Sequence, residues 1–359
     1  MLKAAIIGAT GIVGQQFIVA LKAHPWIELV ALAASERSIS SSYRKAITDA
    51  QTGALRWFCQ DNPPEEVMDL PVQNAIEMSA SGLDLVFSAV DSAPARILEP
   101  RLAASVPVIS TASAFRYDDD VPIIIPGINP EHAGLLDVQR ESRGWKGFIA
   151  PGPNCTTVGL AISLMPIYQN FGLNSIIMTS MQAVSGAGRS PGVIGLDIID
   201  NIIPFIPGEE EKVQCETQKI LGCFSGKCIE PASFKISSTC TRVNVREGHT
   251  ESVFVSTRKP CNVDDVAKIM REFDGLFGEN EPPSAPKRMI IVRDDPFRPQ
   301  PRLDRDADNG MATVVGRIRK DDVLENGIKY LLVSHNTQMG AARGAVLTAE
   351  TLIHAGYIQ

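Results

Sequence analysis

Residues 2–24 read LKAAIIGATGIVGQQFIVALKAH. An apolar run leads into glycines at positions 8, 11 and 14, and a segment with apolar residues at helical spacing follows. Strand, glycine turn and helix in that order form the phosphate-binding start of a parallel α/β sheet. Gly8 permits the tight turn and Gly11 lets backbone approach a pyrophosphate. The helix N-terminus adds unpaired N–H groups and a positive dipole end. Gly8, Thr10, Gly11, Ile12 and Val13 are the candidate cofactor contacts here.

The stretches that follow extend the pattern. IELVALAASERS (27–38) is a second strand, ending where such sheets set ribose selectivity. An acid there suits the free 2′-hydroxyl of NAD, whereas arginine and small hydroxyls suit the 2′-phosphate of NADP. Ser35, Arg37 and Ser38 favour NADP, and Glu36 favours NAD. LDLVFSAV (83–90) and VPVISTAS (106–113) read as buried strands with a helix over 92–105 between them. The alternation predicts a doubly wound parallel sheet.

A chain of 359 residues has room for two domains. We expect a dinucleotide-binding domain over 1–150, rejoined by a helix within 338–359 whose small, apolar face suits packing on a sheet. Residues 151–337 should form an α+β catalytic and oligomerisation domain with a mixed sheet. The net charge of −7 and the absence of a dense basic tract argue against a nucleic-acid surface. No apolar run approaches the roughly 20 residues needed to span a bilayer. Residues 1–20 lack the basic start of a secretory signal, so a cytoplasmic protein with its seven cysteines reduced is expected. Cys223 and Cys228 have no matching second pair, and no metal is expected.

GFIAPGPNCTTVGLAISLMPIY (147–168) sets Cys155 at the mouth of a helix, where dipole and free N–H groups should lower the thiol pKa. The alternative is a half-buried small apolar residue. NSIIMTSMQAVSGAGRSPG (174–192) is a strand running into a glycine loop. STCTRVNVREGHTESVFVSTRK (238–259) alternates on both sides of Glu247-Gly248 and reads as a hairpin. His249 opens its second strand among polar neighbours, which suits a general acid/base; His335 is a partial rival.

These motifs, together with FRYDDDVPIIIPGINPEH (115–132), GEEEKVQCETQKILG (208–222) and SHNTQMGAARGAVLTAE (334–350), resemble the aspartate-semialdehyde dehydrogenases nearly end to end. Their archaeal and fungal branch is the nearer one. The resemblance implies NADPH-dependent reduction of L-aspartyl 4-phosphate to L-aspartate 4-semialdehyde through a cysteine thioester. That step lies on the route to lysine, threonine and methionine, and the enzyme would be a homodimer or homotetramer. It implies Cys155 as nucleophile, His249 as acid/base and Gln182 as the residue positioning the acyl intermediate. Arg242 would clamp the α-carboxylate and Glu209 the amino group, with Lys212, Arg116 and Asn154 on phosphate. Ser185, Gly186, Gly188 and Asn336 would lie on the nicotinamide side. A related reductase acting on malonyl-CoA or another acyl phosphate is the alternative. Three departures from the family pattern admit a shifted substrate: Ser40, Ser41 and Ser42 in the ribose loop, Gly127 for the usual acid, and the lead-in APGP (150–153).

Overall fold

The glycine turn sits on the first strand of a six-stranded sheet, seen in a computed structural model that describes residues 1–188, 192–193, 195–277 and 281–359. Its strands are β1 (Leu2–Ile7), β2 (Ile27–Ala34), β3 (Val72–Asn74), β4 (Leu85–Ser88), β5 (Val108–Ser110) and β6 (Ile149–Pro151). They run parallel in the order β3-β2-β1-β4-β5-β6. The order reverses beside β1, and ligands of such sheets bind outside the strands' carboxyl ends at that reversal. Helices α1 (Ile12–Ala20), α2 (Ser92–Ala103) and α3 (Leu135–Arg143) alternate with the strands.

After β6 the chain enters α4 (Cys155–Phe171), then β7 (Leu173–Gln182), β8 (Ile202–Ile203) and α5 (Glu209–Ile220). A two-stranded ribbon, β9 (Cys223–Phe224) and β10 (Ile229–Glu230), follows. Then come β11 (Lys235–Val243), β12 (His249–Thr257), α6 (Val263–Arg271), β13 (Ile290–Arg293), β14 (Thr313–Asp321) and β15 (Gly327–Ser334). The mixed sheet has the order β13-β14-β15-β12-β7-β11-β8. Leu160, Leu164 and Ile167 of α4 share its apolar core with Val213 and Ile220 of α5, and with Val266 and Met270 of α6. The core takes alternate β7 residues, Ile176 and Met178 among them, and leaves Ile177 exposed on the other face. The final helix, α7 (Ala342–His354), returns to the parallel sheet. Its Ala345, Val346, Ala349 and Leu352 are buried with Ile6 and Phe17.

The hairpin expected at 238–259 does not form. β7 lies between the two strands, parallel to β11 and antiparallel to β12. Alternation and turn residues identify two strands and a short link but carry no information about which edges pair. Here the link crosses the end of β7, and Val184 and Ser185 donate to the Val245 and Arg246 carbonyls. Arg242 is thereby in register with Gln182, while His249 stands on β7's opposite side.

Candidate active site

A cavity of about 1220 Å³ extends from the glycine turn to Cys155. At one end Gly8, Thr10, Gly11, Ile12 and Val13 line it. Gly8 has φ +81°, and a Cβ there would come within 2.4 Å of the Ala89 carbonyl oxygen. A Cβ on Gly11 would meet nothing closer than 3.4 Å, so backbone faces open cavity at that point. No side chain caps α1 and no acidic residue occupies its first turn. The exposed N–H groups and dipole suit a pyrophosphate. Tyr43, buried beneath, donates to the Ala9 carbonyl at 2.8 Å and holds the turn. At the ribose end Ser35 and Glu36 line the cavity; Arg37 and Ser38 stand outside it, and Arg37 is exposed. Ser185, Gly186, Gly188 and Asn336 line the part shared with Cys155. Asn336 donates to Ser185 Oγ at 2.8 Å and accepts from the Gly248 amide at 2.9 Å. Shape and donors at both ends fit a nicotinamide dinucleotide.

Cys155 is the first residue of α4. Asn154 caps that helix, its Oδ1 accepting from the Thr156 and Thr157 amides at 2.9 and 3.3 Å. Cys155 Sγ lies 3.2 Å from Nε2 of the fully buried His249. The Ala183 amide donates to His249 Nδ1 at 3.1 Å. The lowered thiol pKa expected from the helix terminus is not found. Burial pushes the Cys155 thiol up to about 12 and Glu209 adds to the rise, against Arg242 and Arg116. His249 is pushed down to about 3 by burial, then by Arg242 and His335. Both shifts favour the neutral forms, thiol and imidazole. His335, the rival histidine, is buried, and its Nδ1 accepts from the Thr337 amide at 3.3 Å.

Arg116, Glu209, Lys212, Arg242 and Asn154 line the cavity around Cys155, while the buried Gln182 stands behind that wall. Glu209 Oε1 accepts from Asn154 Nδ2 at 2.7 Å and from Gln182 Nε2 at 3.2 Å; its Oε2 lies 3.5 Å from Lys212 Nζ. Arg242 Nη1 donates to the Ala183 carbonyl at 2.8 Å, which leaves its other nitrogens for the cavity. Gly186 is required beside it, because a Cβ there would come within 2.9 Å of Arg242 Nη1 and 3.1 Å of His249 Cε1. Every residue proposed for catalysis and substrate comes to this one end.

Sequence reasoning missed Glu216. It is fully buried on α5, seven residues beyond Glu209, and accepts from Arg116 Nη1 (3.1 Å), Tyr117 Oη (3.1 Å) and the Asn154 amide (2.6 Å). One carboxylate thus ties the loop before Cys155 to a cavity arginine. A signal was available: Glu216 falls among Val213, Thr217 and Ile220 on the buried face of its helix.

Two departures have local explanations. Gly127 has φ +78°, and a Cβ there would run into the Phe277 ring at 2.8 Å. Ser42 caps the short helix Tyr43–Ala46, accepting from the Lys45 amide at 3.4 Å, and Ser41 Oγ accepts from Lys45 Nζ at 3.2 Å.

Two family descriptions match: the NAD binding domain of semialdehyde dehydrogenases over residues 3–135 and their dimerisation domain over 164–339. The aspartate-semialdehyde dehydrogenase of Archaeoglobus fulgidus is 46% identical, covering 97% of each chain. The malonyl CoA reductase (NADP) of Metallosphaera sedula is 38% identical over 99% of this chain and 98% of its own. The crystal structure of the Candida albicans aspartate-semialdehyde dehydrogenase with NADP superposes with a TM-score of 0.87, at 39% identity and full coverage of both chains. With a thiol and imidazole paired below a dinucleotide-shaped cavity, and matches of this extent, this chain belongs to the aspartate-semialdehyde dehydrogenase family.

Proposed function

We propose that this enzyme reduces L-aspartyl 4-phosphate to L-aspartate 4-semialdehyde with NADPH, through a thioester on Cys155. The observation that carries the reading is the 3.2 Å contact between Cys155 Sγ and His249 Nε2 at one end of a cavity whose other end is a phosphate-binding turn. Gly8, Thr10, Gly11, Ile12 and Val13 would hold the pyrophosphate. Ser35 and its neighbours would hold the ribose, and Ser185, Gly186, Gly188 and Asn336 the nicotinamide side. When bound, NADPH supplies the hydride that turns thioester into aldehyde.

The protein's own part begins with Cys155 attacking the acyl carbon, phosphate being a good leaving group. Lys212 and Arg116 carry the charge that phosphate needs, with Asn154 beside them. Arg242 offers a planar fork for the α-carboxylate. Glu209 faces the ammonium, and Gln182, bonded to Glu209, orients the acyl group. His249 handles the proton at sulfur and at the carbonyl oxygen.

Glu209 separates this reading from malonyl-CoA reduction, because a malonyl group has no ammonium for a buried carboxylate to meet. A cycle of wild type and Glu209→Gln against aspartate semialdehyde and its des-amino analogue, succinic semialdehyde, tests it. Wild type should prefer the amino substrate by about 10- to 100-fold, and the variant should lose that preference, since a hydrogen bond to a charged group contributes about 1.5–3 kcal/mol. No turnover of aspartate semialdehyde with phosphate and NADP, alongside turnover of malonyl-CoA with NADPH, would overturn the assignment.

The domain division follows the same reading: 1–150 with 338–359 for the dinucleotide, and 151–337 for catalysis and assembly. The mixed-sheet face that exposes Ile177 suits a second copy, in a homodimer or homotetramer, in the cytoplasm. No helix among the described residues is long and apolar enough to cross a membrane.

A further inference from the structure

Along α5, Glu209, Lys212, Glu216 and Lys219 follow one another at spacings of three, four and three, which puts all four on one side of the helix. Glu209 and Lys212 line the cavity, whereas Glu216 and Lys219 stand behind it. Glu216 holds the Arg116 guanidinium. The half-buried Lys219 holds the same residue by its main chain. Its Nζ donates to the Arg116 carbonyl at 2.8 Å and to the Asp118 carbonyl at 3.1 Å. We infer that Lys219 is a positioning residue: it fixes the backbone of the 116–118 loop so that the Arg116 guanidinium stands where the phosphate group of the substrate binds. This rests on the phosphate placement proposed above and adds what sets that arginine.

The loop has little regular structure of its own to hold it. The Arg116 amide donates to the Ser113 carbonyl at 3.4 Å, and the Asp118 amide to the Phe115 carbonyl at 3.1 Å. Carbonyls in such a place need donors from elsewhere. An ammonium group carries three, so one lysine can serve both carbonyls that flank Tyr117 and fix them against a rigid helix. On the other side Arg143 of α3 donates to the Asp120 carboxylate at 2.5 Å and to that of Asp118 at 2.8 Å. The acidic end of the loop is thus tied to α3 and its arginine end to α5.

Arg116 itself is nearly buried and lines the cavity. Its Nη1 donates to Glu216 at 3.1 Å and its Nη2 to the Thr111 carbonyl at 3.2 Å. Its Nε is buried with no hydrogen-bond partner among the described residues. Glu216 therefore grips the head of the side chain and Lys219 its root. A long, rotamer-rich side chain is ordered at both ends before phosphate arrives, so binding has little ordering left to impose. Without Lys219 the root is free to shift, and the guanidinium shifts with it.

Inorganic phosphate seated beside the Cys155 thiol should slow its alkylation by iodoacetamide. Mass spectrometry of the Cys155 peptide then gives the phosphate dissociation constant without turnover. Lys219→Met keeps the stem and removes the donors. It should weaken phosphate about tenfold, the low end of what a hydrogen bond to a charged group contributes, while NADP binding followed by fluorescence holds. Lys219→Arg retains charge and donors and should recover most of the loss. In an Arg116→Ala background Lys219→Met should weaken phosphate no further, because a residue acting through Arg116 has nothing left to place. Wild-type phosphate affinity in Lys219→Met, no recovery in Lys219→Arg, or an equal loss in the Arg116→Ala background would overturn the inference. So would a loss shared equally by phosphate and NADP, which marks general loosening of the fold. Should Lys219→Met fail to fold, Lys219→Gln, shorter and uncharged, goes through the same cycle with the same outcomes expected. No protection by phosphate in wild type, or undiminished protection in Arg116→Ala, would defeat the phosphate placement itself and this inference with it.

Discussion

Replacing Glu216 with Gln keeps the side chain's shape and removes its charge. The carboxylate accepts from Arg116 and Tyr117 on one oxygen and from the Asn154 amide on the other. A glutamine must turn its NH₂ toward one of those sides. Tyr117 can rotate its hydroxyl to accept, but the Arg116 guanidinium and the Asn154 N–H cannot. Either way one hydrogen bond with a charged partner is lost, at about 1.5–3 kcal/mol. Arg116, nearly as buried, also loses its counter-charge; complete removal of a buried partner costs about 3–5 kcal/mol, and this sets the ceiling. We expect Glu216→Gln to lose about 2–4 kcal/mol in urea unfolding. Asn154 directly precedes the nucleophile, and a displacement of about 1 Å there should lower kcat about 10²-fold. NADP binding, followed by fluorescence, should hold, because the glycine turn lies at the cavity's other end. A variant with wild-type unfolding and wild-type kcat would refute the view that Glu216 sets the loop.

Cys155→Ser should abolish turnover, since an alkoxide forms far less readily than a thiolate; mass spectrometry after aspartyl phosphate should find the wild-type adduct on Cys155 and none on Cys215, Cys223 or Cys240. Arg242→Lys keeps the charge and loses the fork, so KM for aspartate semialdehyde should rise about tenfold while kcat falls less. Glu36→Gln should improve NADP binding over NAD by about fivefold, because a like charge at about 4 Å from the 2′-phosphate in water costs about 1 kcal/mol. Arg37→Ala should weaken NADP alone, read as dissociation constants by calorimetry. The His249 pKa is depressed from 6.5 to about 3 in the fold, so below 6.5 the unfolded chain binds the extra proton. Stability from this group is therefore full above 6.5 and lost as pH falls toward 3, and His249→Asn should flatten that part of the urea-midpoint profile.

Much of this was legible in the sequence, and for local reasons. The turn at Gly8 and the helix start at Cys155 are decided within a few residues, by φ requirements and the switch to helical spacing, so short stretches carry them. The β7 insertion between β11 and β12 is a long-range pairing, and alternation in 238–259 is the same whichever neighbour sits alongside. Spacing puts Glu216 on the buried face of its helix with Val213 and Ile220, but what it holds there is invisible in sequence, since its partners come from residues 116, 117 and 154. The thiol's shift had the wrong sign because the helix dipole is visible in sequence and burial is not. The place after β2 points to Arg37 for the 2′-phosphate; in the structure Ser35 and Glu36 line the cavity and Arg37 is exposed in the same short turn, Glu36–Ser38.

The departures from the family pattern bear on whether the substrate has shifted, and their positions answer differently. Gly127 is not part of the cavity wall, although Ile124, Ile125 and Pro126 are. Its missing side chain makes room for Phe277, so the change belongs to packing and leaves the polar groups around Cys155 intact. Ser41 and Ser42 are engaged with Lys45 at the start of a short helix and do not line the cavity, so they leave the groups around Cys155 untouched. Of the lead-in residues, Gly152 and Pro153 reach the cavity, and neither brings a charge. The charged groups lining the cavity around Cys155 remain Arg242, Glu209, Lys212 and Arg116, which we propose tell one acyl substrate from another. Their signs match a molecule carrying a carboxylate, an ammonium and a phosphate together. A substrate without the ammonium would forgo the further charged hydrogen bond that Glu209, already bonded to Asn154 and Gln182 and 3.5 Å from Lys212, can offer, and binding elsewhere in this cavity would have to make up the difference.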